Sequence, residues 1–266
     1  MRPQIGLTLP TFVDDPDVLV AVARAADASG IDAVFTYDHL YRIASDADAP
    51  SLALEPVLGT LAVETERVRF GSFMARATIR PPAVLRSVFD TVARVAPGRL
   101  IAGVGAGDAL SDPENEMFGL PTDEPAARLA ALAATVEALA GRGYPIWVGG
   151  RSDRVIGVAA ALADGWNAWN VDQDEFTTGV ARLRAAAQRE ERAVAVTWGG
   201  LVELRESRWP EAAERDDVLV GPFDAMAERL RAFVDAGAQW IVLAPIAPAD
   251  RDNAAVVAEA IAPALG

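Results

Sequence analysis

Residues 144–169, YPIWVGGRSDRVIGVAAALADGWNAW, contain one complete repeat of the pattern that decides the fold. A short apolar run at Ile146 to Val148 leads into two glycines, a helical pattern covers Asp153 to Ala163, and a second apolar run follows at Gly165 to Trp169. A strand, a helix and another strand in this order are typical of the βα units that build a parallel sheet. The stretch therefore predicts an α/β fold.

The same alternation continues along the rest of the chain. Eight runs are predicted as strands: Ile5 to Leu9, Ala33 to Thr36, Val68 to Phe73, Leu100 to Val104, Ile146 to Val148, Gly165 to Trp169, Val194 to Val202 and Trp240 to Ala244. Each is followed by a predicted helix: Pro16 to Ala28, Glu55 to Glu64, Pro82 to Val95, Glu124 to Leu139, Asp153 to Ala163, Asp174 to Arg189, Pro222 to Ala236 and Asn253 to Ala262. Eight such units in 266 residues predict one (β/α)8 TIM-barrel domain over residues 1–266.

Two points of the topology stay open at the level of sequence. A doubly wound open sheet competes with the barrel, because βα alternation alone does not prove closure. The segment Arg205 to Val220 is polar and then apolar, and is either a loop or a loop with an extra strand.

Composition excludes several classes of function. The formal net charge is −14 and the chain contains no lysine, so we expect neither nucleic acid nor an anionic membrane as a partner, and no Schiff-base chemistry. The chain contains no cysteine and only one histidine, which argues against disulfides, thiolate chemistry and a metal site. The first residues lack the pattern of a signal peptide, so we expect a cytoplasmic protein whose redox chemistry would come from a bound cofactor.

His39 is the first candidate catalytic residue. It follows the second predicted strand, and the active site of a barrel forms at the carboxyl ends of its strands. Imidazole exchanges protons near neutral pH, which suits an acid, a base or a hydrogen-bond donor. A structural histidine bound to a neighbouring backbone group is the alternative interpretation.

Two glycine-rich turns also follow predicted strands. The run Gly103 to Asp108 lets the backbone approach a ring or phosphate closely, and Asp108 is either a proton donor or a helix cap. The run Gly149 to Ser152 enters a helix, where free N–H groups, Arg151 and the Ser152 hydroxyl suit a phosphate group, although an ordinary capped turn has the same pattern.

The order and spacing of many short motifs resemble the luciferase-like flavin and coenzyme F420 dependent oxidoreductases. The matching segments are Ile5 to Pro10, Ser29 to Phe35 with Asp38-His39, Val68 to Gly71, Pro82, Gly98 to Leu100, Gly103 to Gly107, Glu116 with Gly119, Arg128, Pro145 to Gly150 and Ala163 to Trp166. The resemblance implies a TIM barrel that binds F420, or alternatively FMN, at the carboxyl ends of the strands. It also implies a cis peptide at Phe73-Met74 that bulges against the cofactor ring, and a homodimer.

The resemblance suggests roles for individual residues. It implies a catalytic pair of His39 and Asp108, although the related sugar-phosphate dehydrogenases have glutamate at the second position. Cofactor-binding candidates are Asp38, Phe73, Met74, Ala75, Gly105, Gly107, Gly149, Gly150, Arg151 and Ser152, and substrate-wall candidates are Tyr41 and Trp169.

Three hypotheses about activity remain open. The first is F420-dependent hydride transfer to or from a small organic substrate. The second is monooxygenation with reduced FMN, which would involve a separate cofactor reductase. The third is cofactor binding without catalysis.

Overall fold

The computed structural model describes residues 2–41, 51–204 and 217–266. Within these ranges, ten strands form the sheet: β1 Gln4–Thr8, β2 Ala33–Thr36, β3 Arg69–Ser72, β4 Ala75–Arg76, β5 Leu100–Gly105, β6 Ile146–Gly149, β7 Gly165–Trp169, β8 Ala195–Val202, β9 Val218–Leu219 and β10 Trp240–Pro245. All recorded pairings are parallel, and β10 pairs with both β1 and β8. This pairing closes the sheet, which confirms the (β/α)8 barrel and rules out the open sheet.

The eight predicted strands form the barrel, with small differences at their ends. The two short strands are additions: β4 pairs with β5, and β9 pairs with β8. Strand β9 is the extra strand that was one of the two alternatives for Arg205 to Val220, and residues 205–216 of that segment lie outside the described residues.

Helices surround the barrel in the predicted order. They are α1 Pro16–Ser29, α2 Leu54–Glu64, α3 Pro82–Val95, α4 Asp112–Met117, α5 Pro125–Leu139, α6 Asp153–Leu162, α7 Gln173–Arg189, α8 Phe223–Ala236 and α9 Asn253–Val256. A π-helical turn, Val257–Ile261, and a 3₁₀ turn, Ala262–Leu265, continue α9. Within the described residues, no helix is long and apolar enough to cross a membrane.

One predicted loop contains regular structure. No helix is predicted between the strand Leu100 to Val104 and the helix that starts at Glu124, but this connection holds a 3₁₀ turn, Ala109–Ser111, followed directly by α4. Helix α4 places Glu114 and Asn115 in buried positions, while Glu116 and Met117 are exposed. This short helix therefore carries buried polar groups to the carboxyl ends of the strands.

Aromatic rings packed against glycines fill the barrel interior. The rings belong to Phe35, Phe73, Trp147, Trp169 and Trp240. Trp147 lies over Gly165 of the neighbouring strand, where an added Cβ would be 2.6 Å from Cδ1 of the indole. Phe35 lies in the same way over Gly6, where the corresponding distance is 2.7 Å. Large and small residues on adjacent strands thus complement each other, as close packing requires.

We expect Gly165→Ala to destabilise the barrel by about 1–3 kcal/mol, because the new methyl group overlaps the buried Trp147 ring. Gly59→Ala is the matched control, since nothing lies within 4 Å of a Cβ added at this position in α2. That control should gain roughly 0.5–1 kcal/mol from the lower helix propensity of glycine. Urea unfolding measures the free energy of unfolding of both variants, and equal values would contradict the packing interpretation.

Candidate active site

A fully buried carboxylate, Glu114 of α4, lies at the centre of the candidate site. Its Oε2 is 2.9 Å from Nδ1 of His39, and its Oε1 accepts hydrogen bonds from the Leu40 N–H and, at 2.9 Å, from Nη2 of Arg76. Burial raises the pKa of Glu114, but the hydrogen bonds from His39 and Leu40, with the charge of Arg76, outweigh burial and hold the pKa below its ordinary value. Glu114 is therefore an anion at neutral pH.

Arg76 connects this carboxylate to the rest of the barrel mouth. The side chain belongs to β4 and is buried. Besides Glu114, its guanidinium donates from Nη1 to Oδ1 of Asn115 at 3.0 Å and from Nε to the carbonyl oxygen of Asp38 at 2.9 Å. One arginine therefore fixes α4 against the segments that follow β2 and β3.

Asp38 forms the second half of the same charge cluster. Its carboxylate accepts the Arg76 backbone N–H at 2.8 Å and both Nη groups of Arg80, at 2.8 and 3.0 Å. Arg80 also binds both carboxylate oxygens of Glu55 at the start of α2. Burial lowers the pKa of Arg80, but its pairing with Glu55 and Asp38 outweighs this and raises the pKa above its ordinary value.

Aromatic rings surround His39. Its ring centre lies 5.8 Å from that of Phe12 and 6.5 Å from that of Tyr37, and Tyr37 in turn packs edge-on against Trp169 at 6.3 Å. The side chain of His39 is 27% exposed, and Nε2 has no hydrogen-bond partner among the described residues. Burial raises the pKa of Tyr37 to about 12, so its hydroxyl, which donates to Thr8, stays protonated.

The structure contains the predicted cis peptide between Phe73 and Met74. The Met74 side chain fills a space bounded by three glycines on neighbouring strands. An added Cβ would lie 2.7 Å from the Met74 sulfur at Gly103, 3.1 Å from its Cβ at Gly105, and 2.8 Å from its Cγ at Gly149. These glycines therefore leave room for Met74 at the carboxyl ends of β5 and β6.

The turn between β6 and α6 has the geometry expected of a helix start. Gly150 has a φ of +144°, which side-chain-bearing residues rarely adopt, and the Ser152 hydroxyl caps α6 by accepting the Val155 N–H at 3.3 Å. The Arg151 side chain is 62% exposed and lies 3.5 Å from Glu175. This arginine is therefore accessible from solvent beside a helix N-terminus.

Comparison with known sequences identifies the family of this chain. The sequence profile of the family described as luciferase-like monooxygenase matches residues 2–216. The chain belongs to the luciferase-like monooxygenase family.

Curated relatives match this luciferase-like chain over shorter segments. An F420-dependent glucose-6-phosphate dehydrogenase from Nakamurella multipartita is 34% identical over 137 residues, which is 51% of this chain and 38% of that protein. A protein of the same description from Microbacterium testaceum is 39% identical over 98 residues, covering 36% of this chain and 29% of that protein. The chain thus matches about a third of the length of these relatives.

Solved structures show the same fold at low sequence identity. An F420-dependent secondary alcohol dehydrogenase, solved with an F420-acetone adduct, superposes with a TM-score of 0.84 at 16% identity, with complete coverage of both chains. The monooxygenase RslO1 from Streptomyces bottropensis gives a TM-score of 0.80 at 15% identity, covering 98% of this chain and 99% of that one. These likenesses establish the fold of the luciferase-like chain.

The structure separates the predicted site residues into two groups. His39, Asp38, Phe73, Met74, Ala75, Gly105, Gly149 and Trp169 lie at the carboxyl ends of β2, β3, β5, β6 and β7, with Tyr41 two residues beyond His39. Asp108 has a local role instead: its Oδ1 accepts the Leu110 N–H at 2.9 Å and caps the 3₁₀ turn. The carboxylate bound to His39 is Glu114, and the Asp38 carboxylate is bound by arginines.

Sequence reasoning missed Glu114, Arg76 and Arg80. A usable signal for the first was the pair Asp112-Pro113, which repeats the acidic residue and proline that start α1 at Asp15-Pro16. A helix beginning there would have indicated that one of the acidic residues after it faces inward. The arginines gave no comparable signal, because their partners are 25 to 42 residues away in sequence.

We expect Arg76→Met to destabilise the protein by about 3–5 kcal/mol, because it leaves the buried Glu114 carboxylate without its cationic partner. Arg24→Met is the matched control: Arg24 pairs with Glu64 on the surface and its side chain is 63% exposed. The control should change stability by less than about 1 kcal/mol. Chemical unfolding at pH 7 gives the free energy of unfolding of both variants. Similar losses of stability in the two would show that Arg76 has no special structural role.

Proposed function

We propose that this protein is an oxidoreductase that binds coenzyme F420 and catalyses hydride transfer to or from a small organic substrate. The observation that carries the proposal is the His39–Glu114 pair, which lies at the end of the barrel where such enzymes form their sites. The curated relatives named F420-dependent support this choice of cofactor.

The residues present fit a flat tricyclic cofactor ring. The cis peptide at Phe73-Met74, followed by the buried Ala75, would form the platform behind the ring, with Met74 held by Gly105 and Gly149. When bound, the deazaflavin ring supplies the hydride donor or acceptor. The chain's own residues then orient the substrate, exclude water and handle the proton.

The turn after β6 is the proposed phosphate site. Gly149, Gly150, Arg151 and Ser152 precede α6, whose first N–H groups and positive dipole end favour an anion. The solvent-accessible guanidinium of Arg151 would add a charge-assisted hydrogen bond. Gly107, which has a φ of +71° and follows the neighbouring strand β5, would complete the cofactor-binding set.

His39 is the proposed proton-handling residue. It touches the aromatic rings of Phe12 and Tyr37, and Nε2 is the polar atom that this surface offers to a substrate. Asp108, which is exposed, would assist only if its segment rearranged around a bound substrate. Tyr41 and Trp169 would form further parts of the substrate wall.

We infer that the substrate is an uncharged alcohol or carbonyl compound with apolar substituents. Arg76 and Arg80, the two arginines of the charge cluster that contains Glu114, are held by Glu114, Asp38 and Glu55. The chain has no lysine to bind a sugar phosphate. The aromatic surface around His39 instead suits apolar groups.

The remaining assignments are extensions of this proposal. The chain is proposed to form one luciferase-like domain over residues 1–266 and to be cytoplasmic. It is also proposed to form a homodimer. Val63 of α2 and Val84 of the neighbouring α3 are exposed and would be available for the dimer interface. FMN is the alternative cofactor. In that case reduced FMN from a separate reductase would support monooxygenation, which the monooxygenase description of the family favours. Cofactor binding without turnover is the third alternative.

Cofactor titration tests the proposed function. We expect saturable binding of F420, followed by absorbance or fluorescence, and weaker binding of FMN. Gly149→Val should weaken F420 binding by about tenfold or more, since its side chain displaces Met74 from the platform. Gly157→Ala in α6 is the matched control and should leave F420 binding unchanged, because a Cβ added there meets nothing within 4 Å. Absence of binding by either cofactor would refute the proposal, and oxygen uptake with reduced FMN would favour the monooxygenase.

A substrate panel tests the inferred substrate class. With F420 present, secondary alcohols carrying apolar groups should be oxidised and glucose 6-phosphate should not. His39→Ala should lower kcat/KM for the alcohols by about 10²–10⁴-fold, the usual contribution of a general acid or base, with unchanged cofactor affinity. Preferred turnover of glucose 6-phosphate, or full activity of His39→Ala, would contradict these assignments.

A further inference from the structure

The hydrogen bonds around Glu114 determine which protons its partners carry. An ionised carboxylate accepts hydrogen bonds and donates none. Oε1 already receives the Leu40 N–H and the Arg76 guanidinium, and both of these are obligatory donors. A proton on Oε1 would meet two further hydrogens there. A proton on Oε2 would remove the charge that pairs with the buried Arg76 guanidinium, and the hydrogen bonds to Glu114, with the charge of Arg76, hold its pKa below the ordinary value. The carboxylate is therefore ionised.

The state of His39 follows from this assignment. Its Nδ1 lies 2.9 Å from Oε2 of Glu114, an atom that only accepts. Nδ1 must therefore carry a proton, and in neutral imidazole Nε2 then has the free lone pair. No described residue occupies Nε2, and it shares its surroundings with Phe12 and Tyr37.

We propose that Glu114 is a positioning residue that fixes His39 in the Nδ1-protonated tautomer, so that Nε2 accepts the proton of a substrate hydroxyl. Glu114 acts through His39, because the carboxylate itself is fully buried. It holds the ring by Nδ1 and the following peptide by the Leu40 N–H, which restricts both the tautomer and the orientation of the imidazole.

The chemical step that this tautomer permits rests on the proposed function. The alcohol carbon transfers its hydrogen with two electrons to the oxidised deazaflavin, which is reduced. The hydroxyl proton passes to Nε2, and the substrate becomes a carbonyl compound. His39 becomes an imidazolium, which then releases its proton to water. In the reverse direction, the imidazolium protonates the oxygen of a carbonyl substrate as hydride arrives.

The charge cluster that contains Glu114 is negative overall. Three carboxylates, of Asp38, Glu55 and Glu114, are paired with two guanidinium groups, so the cluster retains one negative charge. Among the described residues, the aromatic groups packed against the ring are Phe12 and Tyr37, whose hydroxyl stays neutral. A positive ring beside Glu114 therefore completes the charge balance of the cluster.

The tautomer can be measured directly, because His39 is the single histidine of the chain. Nitrogen-15 NMR of the full-length protein without cofactor should show one pyrrole-type and one pyridine-type imidazole nitrogen above the transition to the neutral ring. Two-bond proton couplings should assign the protonated nitrogen as Nδ1. Protonation of Nε2 instead would overturn the proposal without use of any variant.

Glu114→Gln offers a sharper version of this test. In this variant the amide oxygen continues to accept hydrogen bonds from the Leu40 N–H and the Arg76 guanidinium, so the amide NH₂ faces Nδ1 of His39. The NH₂ group donates to Nδ1, which moves the histidine proton to Nε2. The nitrogen spectrum should therefore reverse, and kcat/KM for alcohol oxidation should fall by about 10²–10⁴-fold, as expected for a wrong tautomer. Glu116→Gln is the matched control, because Glu116 is an exposed residue of the same helix. This substitution should change neither the nitrogen spectrum nor kcat/KM.

The outcomes for Glu114 and for the proposed function are distinguishable. An unchanged tautomer in a folded Glu114→Gln protein would show that Glu114 does not position His39, whatever the cofactor. A wild-type protein with protonated Nδ1 that binds neither F420 nor FMN would refute the proposed function and leave the positioning role supported.

Discussion

The arrangement of the barrel mouth depends on one buried negative charge. The carboxylate of Glu114 has no contact with solvent, so donors from the protein must replace its hydration. These donors come from separate parts of the chain: His39 and Leu40 after β2, and Arg76 in β4. Displacement of any of these segments would leave the charge unpaired. The position of the only histidine is therefore set by an electrostatic requirement that spans three elements.

Packing of the interior imposes a second constraint, which acts further down the barrel. Aromatic rings cross the interior from Trp240 through Trp147, Phe35 and Phe73 to Trp169, with ring centres 5.0 to 5.5 Å apart. Tyr37 continues this series to His39. Because each ring packs on its neighbour, the residues at the mouth rest on a rigid interior. Preorganised side chains of this kind are what catalysis by positioning requires.

The parts of the site that sequence predicted are those fixed by local or repeated patterns. The positions of predicted strand ends were enough to predict His39, the glycines at the ends of β5 and β6, and the cap at Ser152. The cis peptide at Phe73-Met74 was predicted from the family resemblance. The partner of His39 could not be found in this way. Asp108 was expected from its position in sequence, but it caps its own turn, and Glu114 six residues later reaches the ring. Which of several acidic residues faces inward depends on the helix that carries them.

The sequence by itself determined the alternation of eight strands with eight helices, because strand and helix periodicity are properties of neighbouring residues. The structure decided that these strands close into a barrel, since β10 pairs with both β1 and β8. The sequence also excluded thiol and disulfide chemistry, since the chain contains no cysteine. Only the tertiary structure decided how the charges pair. Arg76, Arg80, Asp38, Glu55 and Glu114 find their partners across 25 to 42 residues of chain, and Glu114 meets His39 across 75. Contacts between residues so far apart in sequence form because the barrel closes, and no local pattern encodes that closure.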